Sequence, residues 1–248
     1  SQEMASWITE RPQDDPDSIA SKRNRYSERR FMNEVLGLFY TGLAKPLLPE
    51  DLLRCSNQNL DLMDGLQAPY ESYMGVDWGG GKFAYTVVWI MAKDDKDCWR
   101  LIHVRKLDER DLMKQVEIVA NLIPIFNVKQ AVADIGFGAV QVSELQKRFG
   151  SRVMGCYYVR RPELALEQKN TDEYGRKIAQ MIVHADRSYW IERAISLIKN
   201  KNEAGEYAPR LVLPWRRSDL VEWLVNHFVC IEMEEQETIS GRRYHHYK

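Results

Sequence analysis

The 248-residue sequence has no apolar run near the roughly 18 to 20 residues that a membrane-spanning helix needs. It has no CxxC pair: its four cysteines, Cys55, Cys98, Cys156 and Cys230, lie far apart and read as reduced thiols rather than a zinc site or a disulfide framework. Nor is there an excess of one charge. A formal net charge of -1 argues against a generic nucleic-acid coat, but not against a nuclease, where cations can be locally segregated and bound metal adds positive charge. The polar, acidic stretch from Ser1 to Asp17 has no signal-peptide features. A phosphate loop is also lacking. Gly79-Gly80-Gly81-Lys82 is followed by Phe83 and a strand-like run, whereas a P-loop needs four residues between its glycines and a Lys-Ser/Thr pair opening a helix. A tight hairpin is the better reading there, with Lys82 placed to touch a phosphate.

What the sequence does have is two short strand-like runs, each ending in a lone aspartate followed by glycines. They are Tyr73-Met74-Gly75-Val76-Asp77-Trp78-Gly79 and Gln130-Ala131-Val132-Ala133-Asp134-Ile135-Gly136-Phe137-Gly138. An acid at the end of a buried strand is costly to desolvate unless cations or hydrogen bonds compensate it. One such Asp commonly caps a turn. Two on separate strands of one sheet can instead converge on a divalent ion, and hard carboxylate oxygens suit Mg²⁺ or Mn²⁺. Two such ions about 3.5 to 4 Å apart activate water and stabilise the leaving oxygen of a phosphodiester.

The patterning around these runs sets the fold class. Residues 1–27 read as a linker or frayed helix, broken by Arg11-Pro12-Gln13-Asp14-Asp15-Pro16-Asp17. Glu28 to Leu38 has the apolar spacing of a short amphipathic helix, and Pro46 to Leu53 reads as a loop feeding a helical turn. Three strands are predicted at Ser72–Asp77, Phe83–Met91 and Trp99–Leu107, with Lys93 to Asp97 as an exposed turn between the last two. A helix over Arg110–Phe126, a strand over Gln130–Asp134, a helix over Ala139–Phe149 and a strand over Arg152–Val159 follow. This βββ-αβ-αβ order implies a mixed α/β sheet covered by helices. Downstream, Lys177–His184 is ambiguous between helix and strand, Ser188–Lys199 is helical and Arg210–Leu213 is a short strand. Ser218 caps a helix running to about His227, and Val229–Glu235 and Arg242–Tyr247 read as a closing pair of strands.

Arg160-Arg161 and Arg216-Arg217 are arginine pairs beside prolines; such pairs are commonly solvated surface, but near the acid pair they would hold a DNA backbone by charge. His245-His246 read as edge residues, since His is unusual in an oxygen-rich Mg²⁺ site.

Several of these stretches resemble one family. Phe31-Met32-Asn33-Glu34-Val35-Leu36-Gly37-Leu38, with Gly42 and Pro46-Leu47, is similar to the segment joining the ATPase and nuclease parts of tailed-phage terminase large subunits. Gly75-Val76-Asp77-Trp78-Gly79 and Val132 to Gly138 resemble their first two nuclease motifs, and Asp186-Arg187-Ser188-Tyr189-Trp190 with Leu211-Val212-Leu213-Pro214 their later course. The resemblance runs from about Glu28 to Lys248. It implies an RNase H-like mixed five-stranded sheet flanked by helices, with C-terminal helix and strand additions. Residues 1–70 would then be a linker and N-terminal extension from an upstream ATPase domain, and 71–248 the nuclease domain. It further implies a metal-dependent endonuclease cleaving double-stranded viral DNA during packaging, with no nucleotide bound here. Asp77 and Asp134 would be catalytic metal ligands, and Lys82, Arg160 and Arg161 DNA contacts. The portal and the small terminase subunit would be partners, in the cytoplasm of the infected host cell. A third ligand, in an Asp-Asp pair, is expected beyond Lys248.

Two other classes compete. Actin- and sugar-kinase-like ATPases also carry an Asp-Gly motif on a first strand, but need two such units and an adenosine site. A non-cleaving DNA-binding or docking module is the other.

Overall fold

A computed structural model describes residues 18–25, 31–37, 45–65, 71–79, 84–159, 164–171, 177–214, 218–237 and 243–247. The chain forms two compact units, a smaller one of residues 1–45 with 232–246 and Lys248, and a larger one of residues 46–231 with Tyr247. In the smaller unit lies helix α1 (Ile19–Arg25), followed by one π-helical turn at Phe31–Val35. Of the amphipathic helix expected over 28–38, only this five-residue turn falls within a described element. Lys45 pairs with Glu232 at 3.5 Å in the same unit.

The larger unit begins with α2 (Pro49–Arg54) and the two-residue strand β1 (Ser56–Asn57). Leu47, Leu52 and Cys55 are buried against Leu101, Leu211, Leu213 and Leu224, so this segment belongs to the larger unit's core, where the resemblance implies a linker.

Strands β2 (Glu71–Asp77), β3 (Thr86–Lys93) and β4 (Trp99–Leu107) form the expected antiparallel meander. Strict alternation makes it: Val88 and Ile90 face one layer, while Val87, Trp89 and Met91 face the other. Helix α3 (Leu112–Ile125) lays Val116, Val119, Ala120 and Ile123 on the first face, at helical spacing. Its start is fixed by Asp111, whose carboxylate accepts the Met113 and Lys114 N–H groups. It ends in Asn127, at φ 46°, a left-handed conformation that Asn tolerates, which turns the chain into β5 (Val128–Asp134). Helix α4 (Ala139–Phe149) and strand β6 (Val153–Tyr158) complete the second αβ step.

The five strands expected, in the order β4-β3-β2-β5-β6, form the middle of a wider sheet that carries strand additions. Its order is β1-β9-β4-β3-β2-β5-β6-β8-β7, using β7 (Ala165–Thr171), β8 (Lys177–Ala185) and β9 (Leu211–Pro214). The ambiguous apolar run at 177–184 is thus a strand, laid parallel to β6 with Tyr158 opposite Ala185. Both edges of the five-strand core carry unpaired backbone groups, and these additions satisfy them. Helices α5 (Arg187–Ile198) and α6 (Ser218–Val229), with α2, bury Ile198, Leu224 and Leu52 on the second face. Asp186 starts α5 by accepting the Tyr189 N–H at 2.9 Å. Strands β10 (Met233–Glu237) and β11 (Arg243–Tyr247) pair as a separate two-stranded sheet.

Candidate functional site

Asp77 and Asp134 end β2 and β5, which run parallel and adjacent with Val76 opposite Ala133. Each acid is the next residue along. With neighbouring strands about 4.8 Å apart, both side chains leave the same C-terminal edge of the sheet from neighbouring positions. Asp77 is exposed and Asp134 half-buried. Although Asp77 is exposed by area, the protein around its carboxyl costs it hydration and raises its pKa, and the Asp134 charge raises it further; Arg187 and His227 oppose both.

Gly79, after the first acid, and Gly138, after the second, are required sterically. An added Cβ on Gly79 would sit 2.5 Å from the Tyr85 backbone, and the Gly79 N–H donates to Thr86 Oγ1 at 3.1 Å. On Gly138 it would overlap the buried Trp78 indole and lie 2.5 Å from the Asp134 carbonyl oxygen. On Gly136 it would come 3.3 Å from Asp134 Oδ2.

Strand β6 lies on the other side of Asp134, with Cys156 opposite it and the Ile135 N–H donating to the Cys156 carbonyl at 3.0 Å. Burial, then the Asp134 charge, pushes the Cys156 thiol up to about 11, so it stays protonated and is no anionic ligand at neutral pH. Tyr158 is 57% exposed by area, yet enough protein surrounds its hydroxyl that desolvation leads its rise to about 12. Cys156, Asp134 and Asp77 add to the rise, while Arg187 opposes it. The Val159 N–H donates to Ala185 O at 2.9 Å, which ties the end of β6 to β8 and brings Arg187, first residue of α5, to this edge. Arg187 is exposed and forms no ion pair among the described residues.

The structure therefore brings Asp77 and Asp134 together. Lys82, Arg160, Arg161 and the Arg216-Arg217 pair lie outside the described residues. His245 and His246 fall on β11, in the two-stranded sheet. Sequence reasoning missed Arg187 and His227 as neighbours of the acids. Arg187 did stand within a motif, as the residue after the Asp186 cap; His227 carried no signal beyond its place in the last turn of a helix. Among the described residues no group of three or more His, Cys, Asp or Glu side chains converges as a metal site. The donor set that is present, two neighbouring carboxylates whose charges repel, fits a hard divalent cation.

No family model and no curated protein matches the chain. Among solved structures, the chain is similar to a lysine-to-alanine variant of the nuclease domain of large terminase subunit gp2 from bacterial virus Sf6, with manganese and beta-thujaplicinol. The two share 11% identity at a TM-score of 0.52, over 82% of this chain and 88% of that one. The corresponding Sf6 variant with calcium gives 12% identity and a TM-score of 0.52 over the same shares. The large terminase nuclease of thermophilic phage G20c gives 15% identity and a TM-score of 0.42, over 81% of this chain and 87% of that one. The chain has the RNase H-like fold of the phage large terminase nuclease domains.

Proposed function

We propose that this chain is the nuclease portion of a terminase large subunit, a divalent-metal-dependent endonuclease that cleaves double-stranded viral DNA during genome packaging. The observation that carries the reading is the Asp77–Asp134 pair on neighbouring strand ends of an RNase H-like sheet, where desolvation first and then the Asp134 charge hold the Asp77 pKa above its ordinary value. The solved Sf6 nuclease domains with manganese and with calcium support the choice of cation.

Asp77 and Asp134 would hold Mg²⁺ or Mn²⁺, and the bound cations supply Lewis acidity toward a scissile phosphodiester and the water that attacks it. The chain's own residues do the rest. Trp78 and the glycines fix the two carboxylates against each other, so little reorganisation is needed when the charge arrives. Arg187, with no ion pair among the described residues and on the β6 side of the acids, is placed to offset phosphate charge. Tyr158 keeps its proton well above neutral pH and can donate a hydrogen bond to an oxyanion. Lys82, Arg160 and Arg161 serve in this reading as further backbone contacts. The larger unit, residues 46–231, is the nuclease core in this reading, and the segment before it the connection to an ATPase domain. Portal and small terminase subunit are the partners, in the cytoplasm of the infected cell. No described helix is long and apolar enough to cross a membrane.

The test is supercoiled-plasmid nicking in Mg²⁺ or Mn²⁺ against EDTA, with calorimetric titration of Mn²⁺ into the same protein. Metal-dependent nicking that is lost in Asp77→Asn and Asp134→Asn supports the assignment. DNA binding without nicking or Mn²⁺ uptake would instead favour a non-cleaving DNA-binding module. Tight ATP binding without nicking would favour the kinase-like reading.

A further inference from the structure

A second side-chain cluster flanks Asp77 and takes no part in holding the acids. Tyr85, just before β3, receives the Trp223 Nε1–H at 3.3 Å and hydrogen-bonds His227 Nε2 at 2.9 Å. The Tyr85 and His227 rings stack with centroids 6.1 Å apart at 14°, and Trp223 lies 4.7 Å from His227 on the same helix. From β4, Lys106 places Nζ 4.0 Å from the Tyr85 ring centroid. Gly79, two residues past Asp77, abuts the Tyr85 backbone, so the cluster sits beside the first acid. The influence of His227 on the Asp77 carboxyl agrees with that placement.

The chemistry of this cluster is weighted toward donors. Lys106 is exposed, offers only donors and has no ion pair among the described residues. The Tyr85–His227 hydrogen bond can be made in two ways. If Tyr85 donates to Nε2, the His227 Nδ1–H is left over; if Nε2–H donates to Tyr85, the phenolic proton is left over. Either way the pair keeps one unspent donor beside the Lys106 ammonium. A base edge presents donors as well as acceptors, and a peptide does the same. A phosphodiester presents acceptors with negative charge, which is what this cluster matches.

We infer that Lys106, Tyr85 and His227 hold the nucleic-acid phosphate next to the scissile one, on the Asp77 side of the acid pair, with Trp223 positioning Tyr85. This rests on the nuclease reading and names residues for its substrate contact. Two carboxylates repel a DNA backbone, so cations are needed on both flanks. Arg187 supplies one flank and this cluster the other.

Fluorescence anisotropy with a labelled DNA duplex in Ca²⁺, repeated over a salt series, tests the inference. Lys106→Ala should weaken binding about three- to tenfold and lower the slope of log affinity against log salt by about 0.9, the value of one lost phosphate contact. Lys106→Arg should restore the slope. His227→Ala and Tyr85→Phe should each weaken binding a few-fold, while Mn²⁺ affinity and melting temperature stay near wild type. Binding by the wild-type chain, with affinity and slope unchanged in Lys106→Ala, would overturn the inference and leave the nuclease reading standing. A wild-type chain that neither binds nor nicks duplex DNA would overturn the nuclease reading itself, and this inference with it.

Discussion

Trp78 lies directly against Gly138, so the residue after the first acid packs on the fourth residue after the second. The indole is 2% exposed and leaves Gly138 no room for a side chain. One contact between two loops thereby fixes the relative positions of Asp77 and Asp134, which strand pairing alone holds only at the level of their Cα atoms. Preorganisation of this kind is what a metal site needs from its scaffold.

Gly138→Ala should therefore cost about 1 to 3 kcal/mol of stability, the usual range for overpacking a filled site. Urea denaturation followed by tryptophan fluorescence would measure this. The same variant should bind Mn²⁺ more weakly than wild type, because the Cβ must displace either the indole or the Asp134 backbone. Unchanged stability would mean that the two loops are not coupled.

Asp77 gives a signed pH dependence. Its folded-state pKa is raised, by desolvation first and then by the Asp134 charge. Such a group contributes stability that is present below the unfolded-state pKa and lost as pH rises through the folded value. Metal-free wild type should accordingly melt higher near pH 4 than its other carboxylates alone would allow. At neutral pH Asp77→Asn and Asp134→Asn should melt at or above wild type in EDTA. Mn²⁺ should raise the wild-type melting temperature and leave both variants nearly unmoved. A clear fall in melting temperature for both variants in EDTA would show that the pair is not repulsive.

His103 predicts a loss of stability in mild acid. Its Nδ1 lies 3.2 Å from the Met63 carbonyl and its ring 4.8 Å from the Phe126 ring. Burial lowers its pKa, with the Met63 contact opposing. The unfolded chain takes up the proton first, near the ordinary value of about 6.5, so stability falls as pH drops from there toward the folded value. Between pH 7 and 5, thermal melts of wild type should fall more steeply than those of His103→Gln.

Asp51 also loses stability in acid, but through its partners rather than its burial. Burial by itself would raise its pKa, but the Tyr207 hydroxyl at 2.6 Å, the Leu48 N–H at 3.0 Å and Lys199 at 3.3 Å outweigh it and lower it. The contribution is present above the unfolded-state pKa and is lost as pH falls through the folded one. Asp51→Ala should cost about 2 to 3 kcal/mol in chemical denaturation at neutral pH, since it removes several hydrogen bonds to one buried charge. Tyr207→Phe should cost about 1 kcal/mol.

Where the chemistry is local, the sequence was a sufficient guide. The alternation through Val87, Val88, Trp89 and Ile90 fixes β3 and both of its faces, and the 3.6-residue spacing of Val116, Val119, Ala120 and Ile123 fixes α3. The Asp-then-Gly pattern marked Asp77 and Asp134, because an acid ending an apolar strand is costly wherever the strand lies. Residues 165–171 and 177–185 gave a weaker signal. Leu166 is exposed and the 177–184 run fits two periodicities, so only the free edge of β6 makes β8 a strand and adds β7 beyond it.

Tertiary structure alone decided what surrounds the acids. Arg187 lies 110 positions after Asp77 and His227 lies 150 after it, counting from their residue numbers. No periodicity relates positions so far apart; β6–β8 pairing places the first, and the packing of α6 on the second face of the sheet places the other. Burial of Leu47, Leu52 and Cys55 in that same face is decided likewise, by what β4 and β9 leave uncovered. Spacing within an element fixes which side chains share a face, whereas long-range pairing fixes which faces meet, and the charges around Asp77 depend on the second.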